Sequence, residues 1–224
     1  MTNSLMTEQA DAVLRRLHEA ADDQESGRVA VPLPPLPEGL GSWNEAPAAA
    51  HADAFQDIYI PISRDAGKLL YALARAIRPE TVVEFGTSFG ISTIYLAAAV
   101  ADNGTGHVYT TELSSKKVAA AQANLEEAGV AQPVTILEGD ALQTLADVAG
   151  PVGLVLLDGW KDLCLPVLRL LERKLEPGAL VAADDITHTG MAPYLDFIRD
   201  PASGYVSVAF PVEDGMEISS WTGR

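Results

Sequence analysis

The sequence predicts an α/β fold: a Rossmann-like, doubly wound sheet, mostly parallel, with a C-terminal antiparallel hairpin and an N-terminal helical extension. Three observations carry that expectation. Short apolar runs recur at 81–85 (TVVEF), 107–111 (HVYTT), 133–137 (PVTIL), 153–157 (GLVLL) and 179–183 (ALVAA). Helical patterns fill the intervals near 91–101, 114–128, 141–148, 163–175 and 191–199. The last stretch breaks the rhythm: "GYVSVAFPVEDGMEISSW" holds two strand-like runs around "VEDG" and reads as a hairpin.

Ahead of the repeating units, residues 8–25 set Ala12, Val13, Leu14, Leu17 and Ala21 among charges, the pattern of an amphipathic helix. Four prolines between 32 and 37 then forbid a helix and favour an extended tether. A helical pattern resumes from about Asp65 to Ile77. The expected organisation is a helix with a proline-rich lid or linker over 1–55, followed by one α/β domain over 56–224.

The 224 residues are 48% hydrophobic, enough for one sizeable core. Fifteen lysines and arginines stand against 31 acids, a formal charge of −16. That balance argues against nucleic acid or an anionic membrane as partner, because phosphate binding needs clustered cations. No apolar run has the length of a membrane span, and "MTNSLMTEQADAVLRRL" lacks the apolar core of a signal peptide. The single Cys164 can form no internal disulfide. The expected location is the cytoplasm.

The first strand of the repeat runs into "EFGTSFGIST", at the turn where open α/β sheets bind ligands. Glu84, Gly86, Thr87, Ser88, Gly90 and Ser92 are the candidate contacts there. Gly86 and Gly90 let backbone approach a ligand closely, and Ser92 opens the next helix, where free N–H groups suit a carboxylate. A nicotinamide dinucleotide usually meets Gly-x-Gly-x-x-Gly, a spacing this turn lacks because Thr87 and Ser88 follow Gly86. The second strand ends in Glu112, with Leu113 behind it, where an acid grips ribose hydroxyls. The third ends in "EGDAL", so Asp140 can accept from an exocyclic amine and Ala141 offers a backbone N–H. Alone, Glu112 reads equally well as a solvated strand-end acid. Together these residues describe an adenosine clamp without pyrophosphate, which favours S-adenosylmethionine.

The fourth strand continues as "LLDGWKDL" and delivers Asp158, and the fifth ends in "LVAADD", delivering Asp184 and Asp185. Neighbouring strand ends lie about 5 Å apart, so three carboxylates converge. Their repulsion is relieved by protonation, by splaying into solvent, or by a hard divalent cation such as Mg²⁺. Lys161 either pairs with Asp162 or another exposed acid, or acts as a base beside that cation.

Taken together, "FGTSFGIS", "LLDGWKDLCLPVLRLLERKLEPGALVAADD" and "VEDGMEIS" resemble the cation-dependent catechol and caffeoyl-CoA O-methyltransferases of class I, over roughly residues 56–222. The resemblance implies metal ligation by Asp158, Asp184 and Asp185, with Lys161 as base and Asp158 beside it. It implies methyl-donor contacts from Gly86, Ser92, Glu112, Asp140, Ala141, Asp158, Gly159 and Trp160. In "IYIPIS", Ile62 falls on the donor side and Ile60 on the substrate side. The implied substrate is small, aromatic, hydroxylated and metal-chelating, set among Ile60, Lys161, Asp185 and His188.

Three departures stand out. Asp185 replaces the family's asparagine, Gly159 replaces a histidine of the catechol enzymes, and "VSVAF" lacks the hairpin glutamate that holds a second phenol oxygen. His188 faces substrate, serves as a supplementary base, or is a surface residue. Trp43 is a candidate lid residue, and Trp221 is expected to pack the terminal strand. The N-terminal helix and tether either cap the pocket or exchange with a second subunit of a homodimer. The rival readings are a metal-independent N- or C-methyltransferase, a non-catalytic adenosyl-binding protein and, more distantly, a dinucleotide reductase.

Overall fold

Strand alternation decides which side chains face which layer. In β4 (Val152–Leu157), every residue is buried. Leu154 and Leu156 join the core on one face of the sheet, while Val155 and Leu157 join the core on the other. A strand buried on both faces must be covered twice, as a parallel sheet in an α/β fold is. The computed structural model describes residues 3–41, 43 and 46–223.

The strands are β1 (Thr81–Phe85), β2 (His107–Glu112), β3 (Val134–Glu138), β4, β5 (Leu175–Ala183), β6 (Tyr205–Phe210) and β7 (Met216–Trp221). They form one seven-stranded sheet in the order β3-β2-β1-β4-β5-β7-β6. β1 pairs in parallel with both β2 and β4, so the switch in strand order lies between β1 and β4. β7 inserts between β5 and β6 and runs antiparallel to both. The expected hairpin is therefore present, and β7 alone opposes the direction of the sheet.

Helices α3 (Arg64–Ile77), α4 (Ile91–Asn103) and α5 (Ser115–Glu127) cover one face, and α7 (Cys164–Leu171) and α8 (Ala192–Ile198) cover the other. α4 is buried from Ile91 to Val100, because α3 closes over it. Gly67 permits this contact: a Cβ there would lie 2.3 Å from the Tyr95 ring. Helix α1 (Glu8–Glu25) places Ala10, Val13, Leu14 and Leu17 in the same core cluster, and Arg16 ties it to Glu127 at 2.6 Å. The chain then runs extended through the prolines to a short helix, α2 (Ala48–Ala54), in a stretch that the sequence reading assigns to a lid or linker without a second helix. Pro47 begins it, and an Ala-rich run sustains it. No helix among the described residues is long and apolar enough to cross a membrane.

His18 is buried on α1, and its Nε2 has no hydrogen-bond partner among the described residues. Burial, reinforced by Arg64 and opposed by Asp22, lowers its pKa to about 4. Between its ordinary pKa and about 4, the unfolded chain takes up a proton that the fold refuses, so acid destabilises the fold there. Melting curves should show His18→Leu losing less Tm than the wild type from pH 6.5 to 4, with no further divergence below that.

Candidate active site

The cavity lies beyond the carboxyl ends of β1 and β4, at the switch point, and has a volume of about 670 Å³. Gly86 brings those ends together. Its φ is +105°, and a Cβ on it would meet the Asp158 carbonyl oxygen at 2.6 Å. No other residue type fits. The turn it opens is built around Glu112. One carboxylate oxygen accepts from the Leu113 and Ser114 N–H groups at 2.8 and 2.9 Å, and the other from Ser88 N–H at 2.9 Å. Three such bonds hold the acid rigid before any ligand arrives.

Gly86, Thr87, Ser88, Ser92, Glu112, Leu113, Asp140 and Ala141 all line the cavity. Glu84 and Gly90 do not. Glu84 is fully buried beneath the turn, where its carboxylate accepts from Thr93 Oγ1 and burial raises its pKa to about 7. Gly90 caps α4 with φ +84°. Asp140 caps the short helix α6 (Ala141–Thr144), accepting from Leu142 N–H at 2.9 Å. Ser88 and Thr111 line the cavity, and their hydroxyl oxygens are buried without a hydrogen-bond partner among the described residues. Such orphaned groups fit a polar ligand such as an adenosyl donor.

On the β4–β5 side, one carboxylate oxygen each of Asp158, Asp184 and Asp185 lies within 4.8 Å of the others. Asp158 and Asp185 line the cavity, while Asp184 is buried just behind. Asp185 adopts a left-handed φ of +56°, which a non-glycine residue takes at a cost. Lys161 Nζ bridges the cluster, 3.0 Å from Asp158 and 2.9 Å from Asp185. Its partners are thus the triad acids and not Asp162. Burial raises the pKa of Asp158, and it raises Asp184 to about 8 with added repulsion from Asp158 and Asp185. Burial alone would lower Lys161, but Asp158 and Asp185 outweigh it and keep it an ammonium. Three carboxylates against one ammonium leave the cluster short of positive charge, and an all-oxygen donor set suits a hard divalent cation.

Over the cavity sits an aromatic lid. The Trp160 and His51 ring centroids lie 4.3 Å apart, Phe55 meets Trp160 edge-on at 5.8 Å, and Trp43 stacks on His51 at 5.9 Å. Apart from Trp160, the rings of this lid come from 43–55, and no residue of α1 lines the cavity. Trp43 was legible as a lid candidate, but His51 and Phe55 were missed. Their signal was a four-residue spacing on one helical face, in a segment read as lid or linker without a helix. Ile62 is buried in the cavity wall and Ile60 is half-exposed at its rim.

His188 stands exposed at the mouth. Its Nδ1 accepts from Gly190 N–H at 3.0 Å, so the neutral ring carries its proton on Nε2 and presents a donor. That tautomer disfavours the supplementary-base reading. Trp221 packs on Tyr205 at 4.8 Å. In place of an acid within 206–210, the hairpin offers Glu213 at its tip. Glu213 accepts from Ser63 N–H at 2.8 Å, and its charge is felt at Asp158.

A family model for a methyltransferase domain matches residues 83–186. The catechol O-methyltransferase of Mycobacterium tuberculosis is 37% identical over 146 residues, 65% of this chain and 66% of that enzyme. A cofactor-bound crystal structure of Rv0187 from MTB is 30% identical, covering 80% of this chain and 92% of that one with a TM-score of 0.69. The chain belongs to the class I, S-adenosylmethionine-dependent O-methyltransferases of the catechol O-methyltransferase type. The O-methyltransferase TomG from Streptomyces achromogenes, solved with SAM, shares the fold at 24% identity and a TM-score of 0.67. The chain spans just under two thirds of the length of the first curated relative.

The glycine at position 159 has a steric reason. A Cβ at Gly159 would lie 2.5 Å from the Phe85 ring, so that ring fills the space a side chain would need. Gly159→Ala should destabilise the fold by about 1–3 kcal/mol in denaturant titrations. Adding Phe85→Leu should recover part of the loss.

Proposed function

We propose that this chain transfers a methyl group from S-adenosylmethionine to a hydroxyl oxygen of a small, dihydroxylated aromatic substrate, with a divalent cation such as Mg²⁺ in the Asp158, Asp184 and Asp185 cluster. The observation that carries the reading is the convergence of those three oxygens within 4.8 Å, beside Lys161 and on the rim of the cavity that Glu112 walls. The relatives named for catechol and O-methyl transfer support the same chemistry.

The donor supplies an electrophilic methyl on a sulfonium. A bound divalent cation supplies charge that favours an ionised hydroxyl and holds neighbouring substrate oxygens. The chain's own part is positioning. Glu112 and the Gly86 turn orient the adenosyl group, and the lid of Trp43, His51, Phe55 and Trp160 excludes water from the reacting centre. Lys161 Nζ takes the hydroxyl proton, which it can do only while Asp158 and Asp185 no longer hold it as an ammonium. His188 Nε2–H donates to a substrate oxygen at the mouth. Asp185, in place of the family's asparagine, makes the cluster more anionic.

A second reading has one observation in its favour. Lys161 already bridges two of the three acids, and Asp184 is driven to hold a proton, so most of the cluster's charge is offset without an ion. In that case the fold would methylate nitrogen or carbon without metal. Calorimetric titration with S-adenosylhomocysteine, with and without magnesium, followed by a screen of dihydroxylated aromatics, separates the two. Turnover should require the cation and stop in excess chelator; turnover that persists there supports the metal-free reading. Lys161→Met should lower kcat by about 10²–10⁴-fold with the fold intact. Asp184→Asn should weaken magnesium binding measured directly by calorimetry.

A further inference from the structure

Lys117 is a buried cation whose ammonium makes no hydrogen bond or ion pair among the described residues. It sits in the first turn of α5, where Ser114 caps the helix, so its ammonium lies at the positive end of the helix dipole. It is only 6% exposed, and it lines the cavity beside Glu112. Among the described residues, no hydrogen bond or ion pair engages its Nζ. Asp57, the nearest candidate outside the cavity, pairs instead with Lys116. Backbone N–H groups, and not Lys117, occupy most of the acceptor positions of Glu112. The one contact Nζ makes is with the Phe89 ring, 5.4 Å away, itself stacked on Tyr59 at 4.0 Å. Burial pushes the Lys117 pKa down, the direction expected of an ammonium that costs stability.

The unused donor faces a definite chemical need. A hydroxyl has one hydrogen to give and two lone pairs to satisfy. With three backbone N–H groups on it, the Glu112 carboxylate keeps about one of its roughly four acceptor positions for a hydroxyl hydrogen of a vicinal diol, and it can give none back. Sugar oxygens buried against it therefore require a donor from elsewhere in the wall. We propose that Lys117 is the second arm of a ribose clamp, donating to the oxygens of the same diol from which Glu112 accepts a hydrogen. The proposal rests on the adenosyl-donor reading above. It accounts for a lysine kept at a site that disfavours it in the empty protein: the cost is offset only when the donor is bound.

The test uses the full chain and calorimetry with S-adenosylhomocysteine, alongside adenosine and its 2′-deoxy and 3′-deoxy analogues. Lys117→Met should weaken S-adenosylhomocysteine about tenfold, the effect of losing a hydrogen bond from a charged group. Lys117→Arg should restore most of the affinity. The wild type should discriminate against at least one deoxy analogue, and Lys117→Met should discriminate less. Melting of the ligand-free Lys117→Met protein should be equal to or above the wild type, since an unpaired buried charge has gone. Unchanged affinity and unchanged deoxy discrimination in Lys117→Met overturn the proposal. So does a lower ligand-free Tm with unaltered affinity, which marks a structural role. If the wild type binds adenosine but not S-adenosylhomocysteine, the methyl-donor reading fails while the ribose clamp stands. If it binds neither, both fail.

Discussion

Like charges forced together by strand geometry are the constraint around which this molecule is arranged. β4 and β5 are adjacent and parallel, so acids at their ends cannot separate without breaking the sheet. At a separation of about 4 Å and an effective dielectric near 20, each like pair repels by roughly 4 kcal/mol. Asp158, Asp184 and Asp185 share that repulsion in a setting where burial already disfavours charge. Lys161 relieves part of it, and it comes from the same loop as Asp158, so the compensation is local. A cluster of this kind does not serve stability, which is why its presence points to chemistry.

The opposite wall of the cavity is organised on a different principle. There a single carboxylate, Glu112, takes three backbone N–H groups, which settle its position before a ligand binds. On that side the carboxylate is held rigid. The other side is electrostatically incomplete. A nucleoside held firmly on the first side would present its reactive end to the second, and Gly86 joins the two by letting β1 and β4 meet without an intervening side chain.

The roof and the floor also depend on each other. Trp160 follows Gly159 directly, so the ring that anchors the lid and the glycine that accommodates Phe85 belong to one turn. The β6–β7 hairpin reaches the same region from the far edge, where Glu213 takes the Ser63 N–H at the start of α3. Segments distant in sequence thus share the task of enclosing the cavity.

The apolar rhythm of the sequence determined the sheet, because a strand buried on both faces cannot be disguised: the runs at 81–85 and 153–157 fall within a residue of β1 and β4. Strand-end chemistry was legible for the same reason, since Glu112, Asp158, Asp184 and Asp185 follow runs whose direction and order the βαβ pattern imposes. Partners were not. That Lys161 bridges Asp158 and Asp185 and leaves Asp162 aside, that Glu84 lies beneath the turn and not in it, and that His188 presents a donor are all consequences of side-chain packing across loops. Helix α2 was hidden because it is too short to show a periodicity, and its His51 packs on Trp160 of the β4 loop. Local pattern specifies elements, whereas the unpaired state of Lys117 emerges only when α5, β2 and the Phe89 turn are folded around one cavity.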